Sequence, residues 1–310
     1  MEMSHLLPLR NRVIGRLRCR STRLLHLGAG GAEVRREMLS VTVQCERGRE
    51  RRVLIPASSL KGAFRRRAEL VFNSIGTRVL PEFFRLKDEG VEVQGKEVEE
   101  VVEWLLDQPK IYEALVSLGF GDDLERLGVK NEEDLRKKWE EREMNQNVKR
   151  KFKSMMERYA STLHPVCRLF GTQSMAAKVR FFDVLLDPRL AEKPGIAIER
   201  KSLRVKEGHL YFLESLLPQS FSIWFIADNL FPGEEESLLL ASTLQSILQV
   251  PLTLGAKKSA GMGSIELEGG EFWLIETEKD GEGAILADPF TNSKPLGLSE
   301  FLRWLAASLV

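Results

Sequence analysis

Cysteine is scarce in this chain of 310 residues. Cys19, Cys45 and Cys167 are odd in number and widely spaced, which argues against a disulfide framework or zinc knuckle and for a reducing cytoplasm. Long apolar runs are missing too. None approaches the ~18 residues of a membrane span, and MEMSHLLPLRNR lacks a signal-peptide core, so no membrane partner is expected. Aspartate is absent before Asp88, and there are only four histidines. Both shortages bear on catalysis, because carboxylates hold divalent metals and imidazoles move protons. The first glycine cluster lacks the GxGxxG spacing of a dinucleotide site. In the second, Lys257 and Lys258 lie between the glycines, whereas a Walker loop needs its lysine after the last one. Net charge is also nearly missing, at +1.

That sum hides a polarised distribution. Residues 1–67 hold sixteen Lys or Arg against five Glu, a balance of +11. Glu266, Glu268, Glu271, Glu276, Glu278, Asp280 and Glu282 crowd the other end. The pattern suggests one face for a polyanion, and a dipolar subunit that stacks head to tail on copies of itself. Hydrophobic residues make up 43% and charged residues 29%, enough for a large core in one elaborated domain or two.

Val13 to Arg20 alternates apolar and basic positions and reads as a strand with one basic face. Gly28, Gly30 and Gly31 open a loop. Strands follow at about 38–44 and 51–55, with CERGRE as a charged hairpin tip. Pro56 ends the second strand, and a helix is expected over about 59–74, capped by Ser58 or Ser59, with Leu60, Phe64, Ala68 and Val71 as its apolar stripe. Lys96 to Ala160 is a charged, helix-rich insertion. KVRFFDVLL reads as one strand and DPRLAEKPG as a loop. Two strands flank Pro218, a second amphipathic helix covers 234–249, a strand covers 265–275, and a short helix covers 298–309. Without the insertions the order is strand, helix, strand, strand, helix, strand. This is an α+β chain in the ferredoxin-like (RRM-like) βαββαβ order, with helices on one side of an antiparallel sheet and the other side free for RNA or a neighbour.

Two stretches suit an anion. In LIPASSLKGAFRRR, the helix start brings backbone N–H groups, serine hydroxyls and Lys61 together, and Gly62 lets a phosphate backbone come close. In LTLGAKKSAGMGSIEL, Gly255, Gly261 and Gly263 bracket Lys257 and Lys258, a nest for phosphates that reads no bases. The plainer alternative for the first is an ordinary capped helix with a solvated basic face.

These stretches, with LLHLGAGG, HPVCRLFGT and AIERKSL followed by GHLYFLESLLPQSF, resemble the RAMP superfamily, specifically the backbone (Csm/Cmr-type) subunit of type III CRISPR effector complexes. The resemblance runs from about Leu24 to Leu267. It implies a ferredoxin-like palm, a helical lid and a β-hairpin thumb. Residues 1–95 would be the first part of the palm, 96–160 the lid, and 161–310 the rest of the palm, with the thumb near 188–210. It implies crRNA and target RNA as partners, together with copies of itself or related RAMP subunits and other effector subunits. Ser58, Ser59, Lys61 and Arg65 would meet the guide backbone beside Lys257 and Lys258. Arg168 and Arg200 would also approach RNA, as would His26, and Gly28, Gly30, Gly62, Gly255, Gly261 and Gly263 would be structural. The thumb wedges between guide–target segments. Active members use an aspartate before the SSLKG helix for metal-dependent target cleavage, and only Glu33 and Glu37 stand near that place here. Binding would need no cofactor, and Mg2+ or Mn2+ would matter only for a catalytic subunit. A non-catalytic guide-binding subunit is the reading preferred over two alternatives, a metal-dependent endoribonuclease subunit and a metal-free, repeat-processing endoribonuclease of the same superfamily.

Overall fold

Alternation in NRVIGRLRCRS produces β1 (Asn11–Ser21). It buries Val13, Gly15, Leu17 and Cys19 and keeps Ile14, Arg16, Arg18 and Arg20 on its other side. The computed structural model describes residues 9–28, 35–45, 48–74, 105–140, 146–172, 175–198, 205–276, 290 and 294–307. In it, β1 is the central strand of an antiparallel sheet. β9 (Ser220–Asp228) and β11 (Ser264–Glu276) flank it. β5 (Val179–Phe181) extends the sheet beyond β9, and β10 (Leu252–Thr253) and β12 (Leu296–Gly297) both pair with β11. The order is β10-β11-β1-β9-β5. Two three-stranded sheets accompany it. One is β2 (Arg35–Arg36), β8 (Val205–Leu216) and β7 (Leu190–Ile198); the other is β3 (Ser40–Cys45), β4 (Gly48–Ile55) and β6 (Val184–Leu186). The protein is thus a mixed α+β chain built on antiparallel sheet.

The described residues form two units, one within Met1–Leu9 and Phe72–Lys178 and one within Arg10–Val71 and Val179–Val310. In the sheet unit, α1 (Ala57–Ser74) buries Leu60, Phe64 and Ala68 at helical spacing. An aromatic chain crosses the core: Phe64 meets Phe181 (4.8 Å between centroids), then come Phe225, Phe272 and Phe301 on α8 (Leu298–Leu305). Gly15 is small because Phe225 occupies its side-chain space; a Cβ there would stand 2.2 Å from the ring. α7 (Glu235–Gln249) begins with Glu235 and Glu236, favourable at the positive end of a helix. Arg67 satisfies its other end, donating to Ser246 O (3.3 Å) and Pro251 O (2.9 Å).

The helical unit has its own core. α2 (Ile111–Leu115), a π-helical turn at Val116–Phe120 broken by Gly119, α3 (Gly121–Arg126), α4 (Glu132–Glu140) and α5 (Gln146–Leu163) enclose Leu115, Leu124, Leu135, Phe152 and Met155. The short α6 (Pro165–Phe170) follows.

Three expectations are corrected. KVRFFDVLL is not one strand: β5 and β6 belong to different sheets, and the chain turns at Phe182 and Asp183. DPRLAEKPG is not a loop, since most of it lies in β7. Pro194 is tolerated because β7 is an edge strand that does not need every N–H. The third concerns charge. The acidic C-terminal stretch and the basic N-terminal one lie side by side, with Arg16 opposite Glu271 and Arg20 opposite Glu266. Arg16 bonds Glu271 (3.4 Å) and Arg12 bonds Asp228 (2.7 Å), so part of the basic charge of β1 is paired inside the unit. Nor is this face of the sheet bare. Trp224 and Trp273 stack there, and Phe290 meets both edge-on.

Candidate nucleic-acid interface

The helix α1 starts at Ala57, earlier than its serines suggest, so Lys61 and Gly62 fall in its second turn. The cap comes from elsewhere: Asp183 accepts the Ala57 N–H at 2.6 Å. Ser59 and Leu60 N–H both donate to Pro56 O. The helix start is therefore largely satisfied from within, and its anion-binding capacity rests on side chains more than on free N–H groups. Ser58 is exposed and Ser59 half-buried. Of the basic run, Arg65 pairs with Glu69 (2.9 Å), Arg67 clamps α7, and Arg66 is exposed. At about 3.6 residues per turn, Arg67 flanks the Leu60–Phe64–Ala68 stripe and Arg66 lies opposite it, so spacing alone separates the structural arginine from the solvent-facing one. The Lys61 ammonium is held below its ordinary pKa, first by partial burial and then by Arg65 nearby. A phosphate would relieve that penalty.

The glycine-rich loop is fixed by close backbone contact. Gly255 (φ 80°) faces His26 O, where a Cβ would stand at 2.3 Å, and Gly263 (φ 78°) faces Leu254 O at 1.9 Å. No other residue fits either place. Gly261 is also left-handed, but over open space. Ala256 N–H donates to His26 O and Gly263 N–H to Leu24 O. Between them the loop presents Lys257 and Lys258, both exposed. Lys257 is itself left-handed (φ 57°), unusual for a residue with a Cβ. Its ammonium sits 5.3 Å from the centre of the Tyr211 ring.

The Leu24–Gly28 segment joins loop to helix. Leu39 N–H donates to Leu27 O, and Leu54 N–H, at the end of β4, donates to Leu39 O. Gly28 bridges Met38. Pro251, held by Arg67 of α1, leads into the loop. His26 is only 3% exposed, and its Nδ1 donates to Glu214 O at 2.7 Å, turned inward. The Glu214 carboxylate is buried. It accepts from Met38 N (2.9 Å) and Arg51 Nη2 (2.8 Å), tying β8 to β4 and the loop before β3.

Among the other expected site residues, Glu37 is exposed, and Glu33, Gly30 and Arg200 lie outside the described residues. Arg168 belongs to the helical unit, where Nη1 donates to Thr162 O (2.9 Å). His164 caps α6 through Nδ1 and packs on Phe72. Asp183 and Glu214 have no local signal in the sequence, because each acts on a segment more than a hundred residues away. Among the described residues, no three His, Cys, Asp or Glu side chains are grouped to hold a metal.

An α+β unit that carries a glycine-locked, lysine-bearing loop and a helix with Lys61 and Gly62, the two linked through Arg67 and Pro251, has the means to hold a polyanion. The sequence profile of the RAMP superfamily matches residues 25–266, and the chain belongs to that family. Membership implies a CRISPR-associated RNA-binding role, with CRISPR-associated RNA and protein partners. No curated protein matches the chain. Among the described residues, no helix is long and apolar enough to cross a membrane.

Proposed function

We propose that this chain is a backbone subunit of a type III CRISPR effector complex, holding guide RNA by phosphate contacts and offering it to complementary target RNA. The observation that carries this is Gly62. It is exposed and helical, and among the described residues nothing lies within 4 Å of where its Cβ would be. A helical glycine costs about 0.5–1 kcal/mol against alanine. Among the described residues, no contact calls for one here. A sugar–phosphate backbone lying across the helix beside Lys61 does. Arg66, Lys257 and Lys258 add charge that no carboxylate among the described residues cancels.

The strand order β11-β1-β9-β5, with α1 after β1 and α7 between β9 and β11, supports a ferredoxin-like βαββαβ palm. In this reading the helical unit is the lid, the β7–β8 hairpin is the thumb, and related subunits line up along one guide. Holding RNA needs no metal. Target cleavage is left out of the proposal, since Glu37, the one described carboxylate of the pair considered, adjoins a segment committed to the Glu214 network.

The test is a salt titration of single-stranded RNA binding. Affinity should fall steeply between about 50 and 500 mM salt and hardly depend on base sequence. A flat titration refutes the phosphate reading. For cleavage, matched target RNA with Mg2+ or Mn2+ should stay intact at this subunit's position in a reconstituted complex. Cuts that vanish with Glu33→Ala or Glu37→Ala would make it a nuclease.

A further inference from the structure

Tyr211 has a place that its own sheet explains only in part. It stands opposite Gly195 in the β7–β8 ladder, and its ring lies across that glycine, where a Cβ would come within 2.3 Å of the ring carbons. An aromatic ring laid over a cross-strand glycine is a known way to cover bare backbone. The ring is nevertheless only half-buried, and it is the partner seen for the Lys257 ammonium. Lys257 adopts a left-handed backbone that a glycine would take more easily, so its side chain stands here at a conformational cost. The pair brings together an accessible aromatic ring and an unneutralised cation on a rigid loop.

We propose that Tyr211 is a nucleobase-stacking residue: one base of the bound single-stranded RNA lies on its ring while Lys257 takes an adjoining phosphate. The proposal rests on the RNA-binding reading above and adds a contact to the bases. Without RNA, the ring holds the ammonium near the loop. A cation–π contact at an exposed site is weak, so a phosphate draws the lysine away and a base takes its place over the ring. Gly195 keeps the ring seated while this happens. Every base has a π-face, so stacking here adds affinity without choosing sequence.

The test uses the full chain and two labelled strands of equal length, one of ordinary single-stranded RNA and one with abasic sites along the same backbone. Tyr211→Phe should bind both strands as the parent does. Tyr211→Leu still covers Gly195 but has no π-face. It should weaken the ordinary strand by about five- to tenfold and leave the abasic strand unchanged. Lys257→Ala should weaken both. Unchanged binding of the ordinary strand by Tyr211→Leu overturns the proposal. So does equal weakening of both strands, which would make the ring only a support for Lys257. If Lys257→Ala and Lys61→Ala leave both strands unaffected, the phosphate reading of this surface falls and the stacking site falls with it. Thermal unfolding of each variant, run alongside, separates lost contacts from lost fold.

Discussion

On β1, Arg12 meets Asp228 and Arg16 meets Glu271, carboxylates from the two strands that flank it. At α1 and in the glycine-rich loop, Arg66, Lys61, Lys257 and Lys258 meet no carboxylate among the described residues. Both regions read as basic in the sequence. β1 pairs two of its four arginines within the unit, with Arg18 and Arg20 exposed, whereas at the helix and loop Arg66 and the three lysines keep their charge available. A count of arginines therefore locates no site; what matters is whether the fold supplies a counter-charge. The same contrast appears inside the run Arg65–Arg67, where one guanidinium pairs along the helix, one clamps α7, and only Arg66 faces solvent.

Four variants probe this contrast. Glu214→Ala removes a buried carboxylate, leaves the buried Met38 N–H without its acceptor and breaks the pair with the exposed Arg51, which should cost about 2 kcal/mol of stability. Urea unfolding measures it, and a loss below about 1 kcal/mol would mean that the network is not structural. Combining Lys61→Ala with Lys257→Ala should weaken RNA binding about 100-fold and flatten the salt dependence by roughly 1.4 in slope, with little change in unfolding. Gly62→Ala should raise stability by about 0.5–1 kcal/mol while weakening RNA several-fold. A gain in stability with unchanged affinity would show the space over the helix to be idle. The smallest effect is expected from Arg16→Ala. Its ion pair with Glu271 is half-exposed, so stability should change by about 0.5 kcal/mol and RNA affinity by less than about twofold. A large loss of affinity there would put RNA on the sheet face.

Elements with strong periodicity were legible in the sequence. β1 alternates over its whole length, and α1 and α7 carry apolar stripes at helical spacing. Gly255 and Gly263 stand where a positive φ beside a neighbouring backbone admits little else, a need that the sequence shows only as a glycine-rich run. What was hidden depends on distance along the chain. Asp183 caps a helix that begins 126 residues earlier, and Glu214 accepts from Met38 across 176. Nothing local marks either residue. The break at Phe182 and Asp183 was missed because both halves of KVRFFDVLL have strand character, and only the change of sheet partner divides them. Charge pairing was missed for the same reason: the arginines of β1 and their carboxylates lie at opposite ends of the sequence.

Arg12 and Asp228 are 216 residues apart, and Arg16 and Glu271 are 255 apart. During synthesis at about 5–20 residues per second, β1 emerges roughly 10–40 s before β9, its first strand partner. For that time both of its edges are open, next to copies of itself on other ribosomes. A strand with valine, isoleucine and leucine would then be prone to pair with its twins. Arg12, Arg16, Arg18 and Arg20 on one side of the strand, repelling like charges on an identical neighbour, guard against it. The helical unit needs no such guard, since its contacts are local and its chain is complete before β9 is made.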